Sequence, residues 1–429
     1  MHYQKPLLKN RSARPGRLAV VDALRGFALV GVGMVHFLER FVAGPLPEHL
    51  QHINGGGPLN FAVHGLLWAS FGKFFALFSL LFGVSYALAG RGHRPSRRGR
   101  RKFFVRSCLL LLIGVAHQAF YRGDILIVYA LLSPLLLFTD RLSGRWLLAF
   151  SAVLLLGLPR MLAVMLSDGG ALFGIEVMDA NAVNNTAYLG YIRQGAWWEM
   201  AKVNLSYGLW HKAEIYLGML GRAYYVVAYF LLGVWLVRVD FFRKVLYGGL
   251  DVRKYVRGGG RLLCLALAIM LVLFALGGWP VDWQSTLAAL ALNAYDWTNA
   301  IVAGLLLLGF CYAFNRYDWL RRLASLGRMG LSNYLLQTLV GTALFYGWGA
   351  GLFVAFTSSQ LLLVAILVIG LQIIFSHYWL RRYQHGPVEH MWRVATDWCL
   401  DKWPEPKASH GQGQRPILRA LRLKLGSWI

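Results

Sequence analysis

The residues in this sequence that could carry acid–base or group-transfer chemistry are histidines and carboxylic acids beside long apolar runs. His117 and Asp124 flank a short turn, His36 and Glu39 end an apolar run near the N-terminus, and His64 begins another. A carboxylate bonded to imidazole orients the ring and raises its basicity, which suits a general base or an acyl-accepting histidine. In membrane-spanning helices these five side chains would fall at a similar depth. We therefore predict a histidine–carboxylate site, with His117, Asp124 and His36 as catalytic candidates.

Two cations in the apolar runs are candidates for binding an anionic substrate or an acyl donor. Arg25 stands eleven residues before His36, so both lie on one helix face, about 16 Å apart along the axis. Lys73 is a lone lysine among apolar residues, and a buried ammonium needs a carboxylate or an anionic ligand to stay charged. The alternatives are an ion pair between Arg25 and Asp22, one turn apart, and a Lys73 side chain that reaches the membrane surface.

Amide and carboxylic acid side chains complete the set of candidate binding residues. Glu39, Asn333 and Gln337 could contact a substrate, and the last two lie one helical turn apart. Hydrogen bonds between helices are the commoner explanation for such an amide pair. The four cysteines are scattered, and none of the membrane histidines are spaced i,i+4 as in a helical zinc motif. The sequence therefore predicts neither a disulfide framework nor a metal site.

The elements that position these side chains must be transmembrane helices, because the composition excludes a large soluble domain. Hydrophobic residues make up 57% of the 429 residues and charged residues 15%, against about half and about a quarter in soluble proteins. A helix needs roughly 20 apolar residues to cross the hydrocarbon core, where the backbone must satisfy its own hydrogen bonds. The fold class is therefore predicted to be an all-α integral membrane protein with about ten transmembrane helices. The stretches that meet or approach this length are about 18–38, 64–89, 103–120, 124–139, 146–166, 217–237, 261–279, 298–314, 329–347 and 352–379.

Positive charge is distributed unevenly between the loops that join these stretches. The net charge is +25, and with a cytoplasmic N-terminus the cytoplasmic segments carry 35 lysines and arginines against 5 on the outer side. Such a bias is the positive-inside rule. It predicts that both termini are cytoplasmic. It also attributes the basic excess to topology and to contact with membrane lipids, and not to binding nucleic acid.

The chain is predicted to form a single membrane domain with short flanking segments. These are a basic cytoplasmic N-terminus over 1–17, the polytopic domain over 18–380, a cytoplasmic amphipathic segment over 381–403 and a flexible basic tail over 404–429. An outer-side loop at about 167–216 carries paired tryptophans, which favours either a lid at the membrane interface or a plain connector. Whether the chain forms a homo-oligomer stays open.

Five short motifs occur in order along the chain. They are DALRGFAL at 22–29, KF and LFSLLFG within 73–83, H and GDIL within 117–126, GRM and SNYLLQ within 327–337, and GPVE with W within 386–392. Together they resemble the YeiB-like family of bacterial membrane proteins (domain of unknown function 418) over about residues 17–395. That family is grouped with a wider transmembrane acyltransferase superfamily, which includes the lysosomal heparan glucosaminide acetyltransferase and bacterial glycan O-acetyltransferases. The resemblance implies a multi-pass protein of the bacterial plasma (inner) membrane.

The resemblance also implies a mechanism. Cytoplasmic acetyl-CoA or another acyl-CoA would be the donor, and a glycan or envelope molecule on the outer side would be the acceptor. Arg25 would lie near the donor phosphates, and a histidine near the outer face would take up the acyl group or act as base. The spacing of Arg25 and His36 matches another branch of the superfamily, but near relatives usually have Asn at position 36. The resemblance therefore favours His117 with Asp124 as a transmembrane O- or N-acyltransferase site and puts His36 second.

Two other classes of function stay open. A transporter, exporter or channel for a small solute or ion could use the same intramembrane charges, although no internal repeat of the transporter type is evident. A non-catalytic membrane scaffold or sensor is the third class. Binding of acyl-CoA would favour the enzyme, and ion flux through liposomes would favour the transporter.

Overall fold

The computed structural model describes residues 18–44, 46–90, 96–166, 183–217, 220–277 and 285–402. Every regular element in these ranges is helical, which confirms the all-α prediction. The expectations for 1–17, for the tail 404–429 and for 167–182 of the outer loop lie outside the described residues. The α-helices are α1 Ala19–Leu38, α2 Pro58–Ser70, α3 Lys73–Ala89, α4 Arg97–Gln118, α5 Leu126–Leu132, α6 Gly144–Leu155, α7 Leu158–Leu166, α8 Val183–Gln194, α9 Trp197–Leu205, α10 Tyr207–Leu217, α11 Arg222–Arg238, α12 Phe241–Leu246, α13 Val252–Gly277, α14 Thr286–Phe314, α15 Leu323–Arg328, α16 Gly330–Phe345, α17 Ser358–Arg382 and α18 Pro387–Lys402.

Five elements within the described ranges are long and apolar enough to cross a bilayer. They are α1, the α2–α3 pair, α13, α14 and α17, and a sixth would be the pair Trp197–Leu217 and Arg222–Arg238, which is bent by 62°. Only 6% of the most apolar window of α13 is buried against the rest of the protein. Apolar surface of this extent is expected where a helix faces lipid. These helices identify a membrane protein.

Three of the predicted apolar stretches are not single helices. Gly72, with φ of 84°, separates α2 from α3, and Gly157, with φ of 77°, separates α6 from α7. These angles lie in the left-handed region, which glycine enters without a steric cost. After α5 the chain continues as a 3₁₀ segment, Ser133–Arg141, with Pro134 in its first turn. Proline has no amide proton with which to continue an α-helical ladder. Hydropathy does not register such breaks, because the residues around them remain apolar.

Small residues bring the central helices into backbone contact. α1 packs against α2, α3, α14, α15, α16 and α17. A Cβ on Gly26 of α1 would overlap the carbonyl oxygen of Leu323, and one on Gly83 of α3 would overlap that of Phe230 in α11. Helices in membranes associate through such close approaches. The contacts hold α1 and α3, which carry several of the sequence candidates, against their neighbours.

The helix found in the predicted amphipathic segment, α18, docks on the N-terminal half of α4. The Arg106 guanidinium lies 4.0 Å from the ring centroid of Trp392, whose Nε1 donates to the Arg106 carbonyl oxygen at 3.1 Å. One turn away, Lys102 Nζ is 2.6 Å from Asp397 Oδ1. This ammonium lowers the pKa of the Asp397 carboxyl below its ordinary value. α18 therefore secures the end of α4 that lies opposite His117.

The close contact of α3 with α11 predicts that Gly83→Ala is destabilising. The added methyl must displace the Phe230 carbonyl, and overpacking of this kind costs about 1–3 kcal/mol. Gly304→Ala is the matched control, because a Cβ at this exposed glycine of α14 meets open space. Chemical denaturation in detergent micelles should show a lower free energy of unfolding for Gly83→Ala alone. Equal stability of the two variants would contradict the backbone contact.

Candidate functional site

His117 and Asp124 form a buried hydrogen-bonded pair. His117 lies in the last turn of α4, with Nδ1 2.7 Å from Oδ1 of Asp124. Asp124 precedes α5, and its carboxylate accepts hydrogen bonds from the backbone amides of Leu126 (3.1 Å) and Ile127 (2.9 Å). An aspartate in this position satisfies amides that have no partner inside the helix. The same carboxylate therefore initiates α5 and orients the imidazole.

The second ring nitrogen of His117 reaches a hydroxyl on α16. Nε2 lies 2.8 Å from Oγ1 of Thr338. The exposed fractions are 5% for His117, 0% for Asp124 and 1% for Thr338, so water is excluded from all three. Because a carboxylate only accepts, Nδ1 donates to Asp124, and Nε2 then accepts from the hydroxyl. We refer to this line of hydrogen bonds as the Thr338–His117–Asp124 array.

The structure brings His36 close to the same site. The Tyr121 hydroxyl is hydrogen-bonded to Nδ1 of His36 at 3.0 Å. The ring centroid of Tyr334 lies 4.9 Å from that of His117 and 6.4 Å from that of His36. The two histidines that the sequence placed at similar depth therefore flank one tyrosine. The two histidines do not hydrogen-bond each other, and of the two only His117 is hydrogen-bonded to a carboxylate, that of Asp124.

Helices α9 and α10, in the loop predicted to lie on the outer side, contact the turn that carries the array. Lys212 Nζ of α10 donates to the carbonyl oxygen of Asp124 and, at 3.2 Å, to that of Arg122. Gln118 Nε2 donates to the Asn204 carbonyl oxygen of α9 at 2.9 Å. Satisfied backbone carbonyls make a short turn rigid. The second half of this loop therefore covers the turn between α4 and α5.

Two other residues of the predicted outer-face set stand apart from the array. Glu39 is half-buried and lies within electrostatic range of Arg122, and its carboxylate makes no hydrogen bond with a residue that the structure describes. His64 is partly exposed on α2, where its Nε2 accepts a hydrogen bond from Trp68 Nε1 at 2.9 Å. Neither side chain hydrogen-bonds to the array: His64 lies on α2, whereas Glu39 ends α1, the helix that also carries His36.

The predicted binding cations lie at two different places. Arg25 Nη1 is 3.0 Å from Asp22 Oδ1, and Nη2 donates to Ser85 of α3. The Arg25 side chain keeps 29% of its surface exposed. Lys73 is buried at the start of α3, with Nζ 5.0 Å from the ring centroid of Tyr295. Neither cation contacts the array directly. A role for Arg25 or Lys73 in catalysis would therefore be to bind a substrate that reaches the array.

Asn333 and Gln337 connect α16 to α17. Asn333 Nδ2 donates to Ser376 Oγ at 2.8 Å, and Gln337 Nε2 donates to Gln372 Oε1 at 3.0 Å. Gln372 Nε2 in turn donates to the Asn333 carbonyl oxygen at 3.1 Å. This network has the form expected of hydrogen bonding between membrane helices. It fixes the helix that presents Thr338.

Sequence reasoning missed four residues that shape the site, namely Thr338, Tyr121, Tyr334 and Lys212. Thr338 and Tyr334 lie within or beside the SNYLLQ motif, yet a hydroxyl in an apolar helix is common and carries no distinctive signal. Lys212 is one of the five basic residues predicted on the outer side. Its position as the one lysine of a largely apolar eleven-residue helix, α10, is a stronger indication of a functional role than its contribution to that count.

Across the described ranges, no three histidine, cysteine, aspartate or glutamate side chains stand close enough together to hold a metal ion. A histidine between a carboxylate and a hydroxyl can accept a proton or attack an electrophilic carbonyl.

Comparisons with known proteins place the chain among uncharacterised relatives. Residues 243–399 match the family described as "Protein of unknown function (DUF418)". The chain is 30% identical over 409 residues to "Uncharacterized protein YeiB" of Escherichia coli K12, covering 89% of this chain and 96% of that protein. It is 27% identical over 405 residues to "Uncharacterized protein YxaH" of Bacillus subtilis 168, covering 89% and 94%. No solved structure gives a significant match.

The double role of Asp124 predicts a large loss of stability for Asp124→Ala. Removing the carboxylate leaves two amides and an imidazole without their buried partner, which costs about 3–5 kcal/mol. Asp124→Asn keeps an oxygen for the amides and should lose less. The control is Asp397→Ala, which removes an ion-paired carboxylate that is 48% exposed and should cost about 1 kcal/mol or less. Denaturation in micelles would contradict the assigned role if Asp124→Ala were no worse than the control.

Proposed function

The chain belongs to the YeiB-like family, and from that membership together with the geometry at His117 we propose that it is a membrane-bound acyltransferase. The donor would be cytoplasmic acetyl-CoA or another acyl-CoA. The acceptor would be a hydroxyl or amine of a glycan or envelope molecule on the outer side. The YeiB and YxaH relatives have no assigned activity, so the proposal is carried by the site and not by their names.

The observation that carries the proposal is the Thr338–His117–Asp124 array. A hydroxyl, an imidazole and a carboxylate in line, with separations of 2.8 Å and 2.7 Å, match the pattern that activates nucleophiles for acyl transfer. The carboxylate fixes the tautomer and stabilises the positive charge that develops on the ring when Nε2 attacks the carbonyl. Burial strengthens both interactions, because the surroundings have a low dielectric constant.

The proposed reaction has two steps at His117. Nε2 attacks the thioester carbonyl and the C–S bond breaks, which forms an acyl-imidazolium whose Nδ1 proton stays bonded to Asp124. The coenzyme A thiolate leaves and takes a proton from solvent. The acceptor hydroxyl or amine then attacks this acyl group, its proton is lost to solvent or buffer, and neutral His117 is restored. Thr338 occupies Nε2 in this structure, so its hydroxyl must turn away when the thioester arrives. Thr338 is thus a positioning residue that keeps the ring in its reactive tautomer.

Arg25 supports the placement of the donor. It stands at the opposite end of α1 from His36, about 16 Å along the helix axis, and its guanidinium is partly exposed. A guanidinium binds phosphate oxygens in a bidentate manner. A donor anchored by its phosphates near Arg25 would extend its thioester along α1 towards His117 and His36.

We extend the proposal to topology. About ten crossings of the plasma (inner) membrane, with both termini cytoplasmic, would agree with the bias of 35 cytoplasmic against 5 outer basic residues. In that orientation the array and Lys73 lie in the outer half, and α18 rests on the cytoplasmic surface. A homo-oligomer is compatible with this arrangement.

A small-solute or ion transporter is the second candidate function. It is favoured by the burial of Lys73, Arg160 and Asp296, because charges inside a membrane commonly mark an ion or substrate path. Reconstitution in liposomes separates the two functions, since flux without acyl transfer would select the transporter.

The proposal predicts that His117→Ala strongly lowers the rate of acyl labelling. Purified protein in detergent is incubated with radiolabelled acetyl-CoA, and label on the protein or on an added glycan acceptor is counted. His117→Ala should lower the rate by about 10²–10⁴-fold, the usual contribution of a positioned acid–base group. Thr338→Val should lower it less, and Thr338→Ser should restore it because the hydroxyl returns. His36→Ala should retain most activity.

His390→Ala provides the matched control, because His390 is an exposed histidine of α18. Melting curves for every variant establish that each is folded. Activity of His117→Ala equal to that of His390→Ala would rule out the assigned mechanism. Absence of labelling by the wild type with several acyl-CoA donors would end the acyltransferase proposal.

A further inference from the structure

A second group of charges is buried where the ends of α3 and α11 meet α7 and α14. We call Lys73, Arg160, Arg222 and Asp296 the basic cluster. Arg160 Nη2 is 2.7 Å from Asp296 Oδ2, and Arg222 Nη1 is 3.5 Å from Asp296 Oδ1. The two guanidinium groups thus share one carboxylate. With Lys73 protonated, the described residues of the cluster carry three positive charges and one negative charge.

Lys73 is the unbalanced member of the cluster. Its exposed fraction is 9%, and its Nζ makes no hydrogen bond or ion pair with a residue that the structure describes. Its nearest described contact is the Tyr295 ring, with the centroid at 5.0 Å. A cation–π contact contributes less free energy than burying an ammonium costs. The ammonium therefore lacks a counter-charge of its own.

The start of α3 adds further positive potential at the same place. Gly72 is the N-cap, and no side chain accepts a hydrogen bond from the first-turn amides. The first turn carries no acidic residue, and Lys73 stands at its first position. Free amides and the helix dipole attract anions to such a terminus. The guanidinium of Arg222 lies near this turn, 5.7 Å from the ring centroid of Phe75.

We propose that the basic cluster binds an anionic oxygen group, with a hydrogen phosphate or phosphate ester as the preferred chemistry. The anion would accept from Lys73 Nζ and the first-turn amides of α3, and it would share Arg222 with Asp296. Asn299, buried beside Asp296, has an Oδ1 atom with no hydrogen-bond partner among the described residues. This acceptor favours a ligand that also carries a hydroxyl proton, so hydrogen phosphate fits better than a carboxylate. The site is separate from the Thr338–His117–Asp124 array and does not depend on acyl transfer.

The test measures anion binding to the full-length protein without reference to activity. Purified protein in a neutral detergent is titrated with inorganic phosphate, sulfate or acetate at constant ionic strength, and its melting temperature is recorded. Phosphate should raise the melting temperature of the wild type saturably and more than acetate does. Lys73→Met should weaken the apparent affinity by about tenfold or more, as loss of one charge-assisted hydrogen bond predicts. Lys73→Arg should retain binding, which separates loss of charge from misfolding.

Lys202→Met is the matched control. Lys202 also lies beside an aromatic ring, 4.5 Å from the centroid of Trp198, but it is exposed on α9 and outside the cluster. The Lys202→Met variant should bind phosphate with the same apparent affinity as the wild type. Asp296→Asn removes the carboxylate that competes with the anion for Arg222. Where it folds, this variant should bind phosphate more tightly than the wild type does. An equal response of Lys73→Met and Lys202→Met would overturn the proposal.

A second arm identifies the source of the anion. The same variants are placed in nanodiscs of phosphatidylcholine with or without phosphatidylglycerol. Stabilisation by phosphatidylglycerol that is lost in Lys73→Met assigns the site to a lipid phosphate, whereas stabilisation by inorganic phosphate alone assigns it to a soluble phosphate compound. No saturable effect of any anion in either arm would refute the site.

Discussion

The carboxylate of Asp124 is the group on which the arrangement of the candidate site depends. It accepts two amides at the start of α5 and the Nδ1 proton of His117 at the end of α4, while Lys212 donates to its backbone carbonyl. Little water is available at this depth, so each of these donors needs a partner within the protein. The orientation of the imidazole towards Thr338 follows, because its other nitrogen is already occupied. The hydrogen bond from Nδ1 to Asp124 thus leaves Nε2 as the nitrogen that can react, and the same carboxylate stabilises the turn between α4 and α5.

Close helix packing makes this placement possible. In lipid, apolar side chains gain little by leaving one apolar environment for another, so van der Waals contact through small residues holds helices together. Gly26 and Gly83 allow α1 and α3 to approach their neighbours backbone to backbone. α16 is then fixed by the amide network of Asn333, Gln337 and Gln372, which explains why polar side chains next to Thr338 face another helix.

The protein contains two buried polar centres with different electrostatic character. At His117 one carboxylate faces one imidazole and one hydroxyl, and each is hydrogen-bonded. In the basic cluster one carboxylate pairs with two guanidinium groups, and Lys73 forms no ion pair with any residue in the described ranges. A balanced centre suits proton and group transfer, whereas an unbalanced one suits retention of an anion. Because the relatives of this chain are uncharacterised, the roles proposed for the two centres rest on these charges and hydrogen bonds.

The sequence by itself determined the class of the protein and the pairing of its strongest candidates. Apolar runs of helical length require helices in a bilayer, because no other open structure satisfies the backbone there. His117 and Asp124 lie on either side of a short turn, which together with the family motif favoured them as a pair, and the structure shows their hydrogen bond. Their motif also carried the family resemblance, which the match to YeiB confirmed.

Only the tertiary structure decided which distant residues complete each centre. Thr338 lies far along the chain from His117, and Asp296 lies far from Arg160, so their meeting depends on how helices pack laterally. Hydropathy and periodicity predict how deep a residue lies in the membrane and which face of its helix it occupies. They do not predict which other helices lie beside that face. For that reason His64, which shares the expected depth, lies on α2 without a hydrogen bond to the array, and Lys73 lies near guanidinium groups to which the sequence assigned no role. The breaks at Gly72 and Gly157 were hidden for a related reason, since a left-handed glycine changes the direction of a chain without changing its hydropathy.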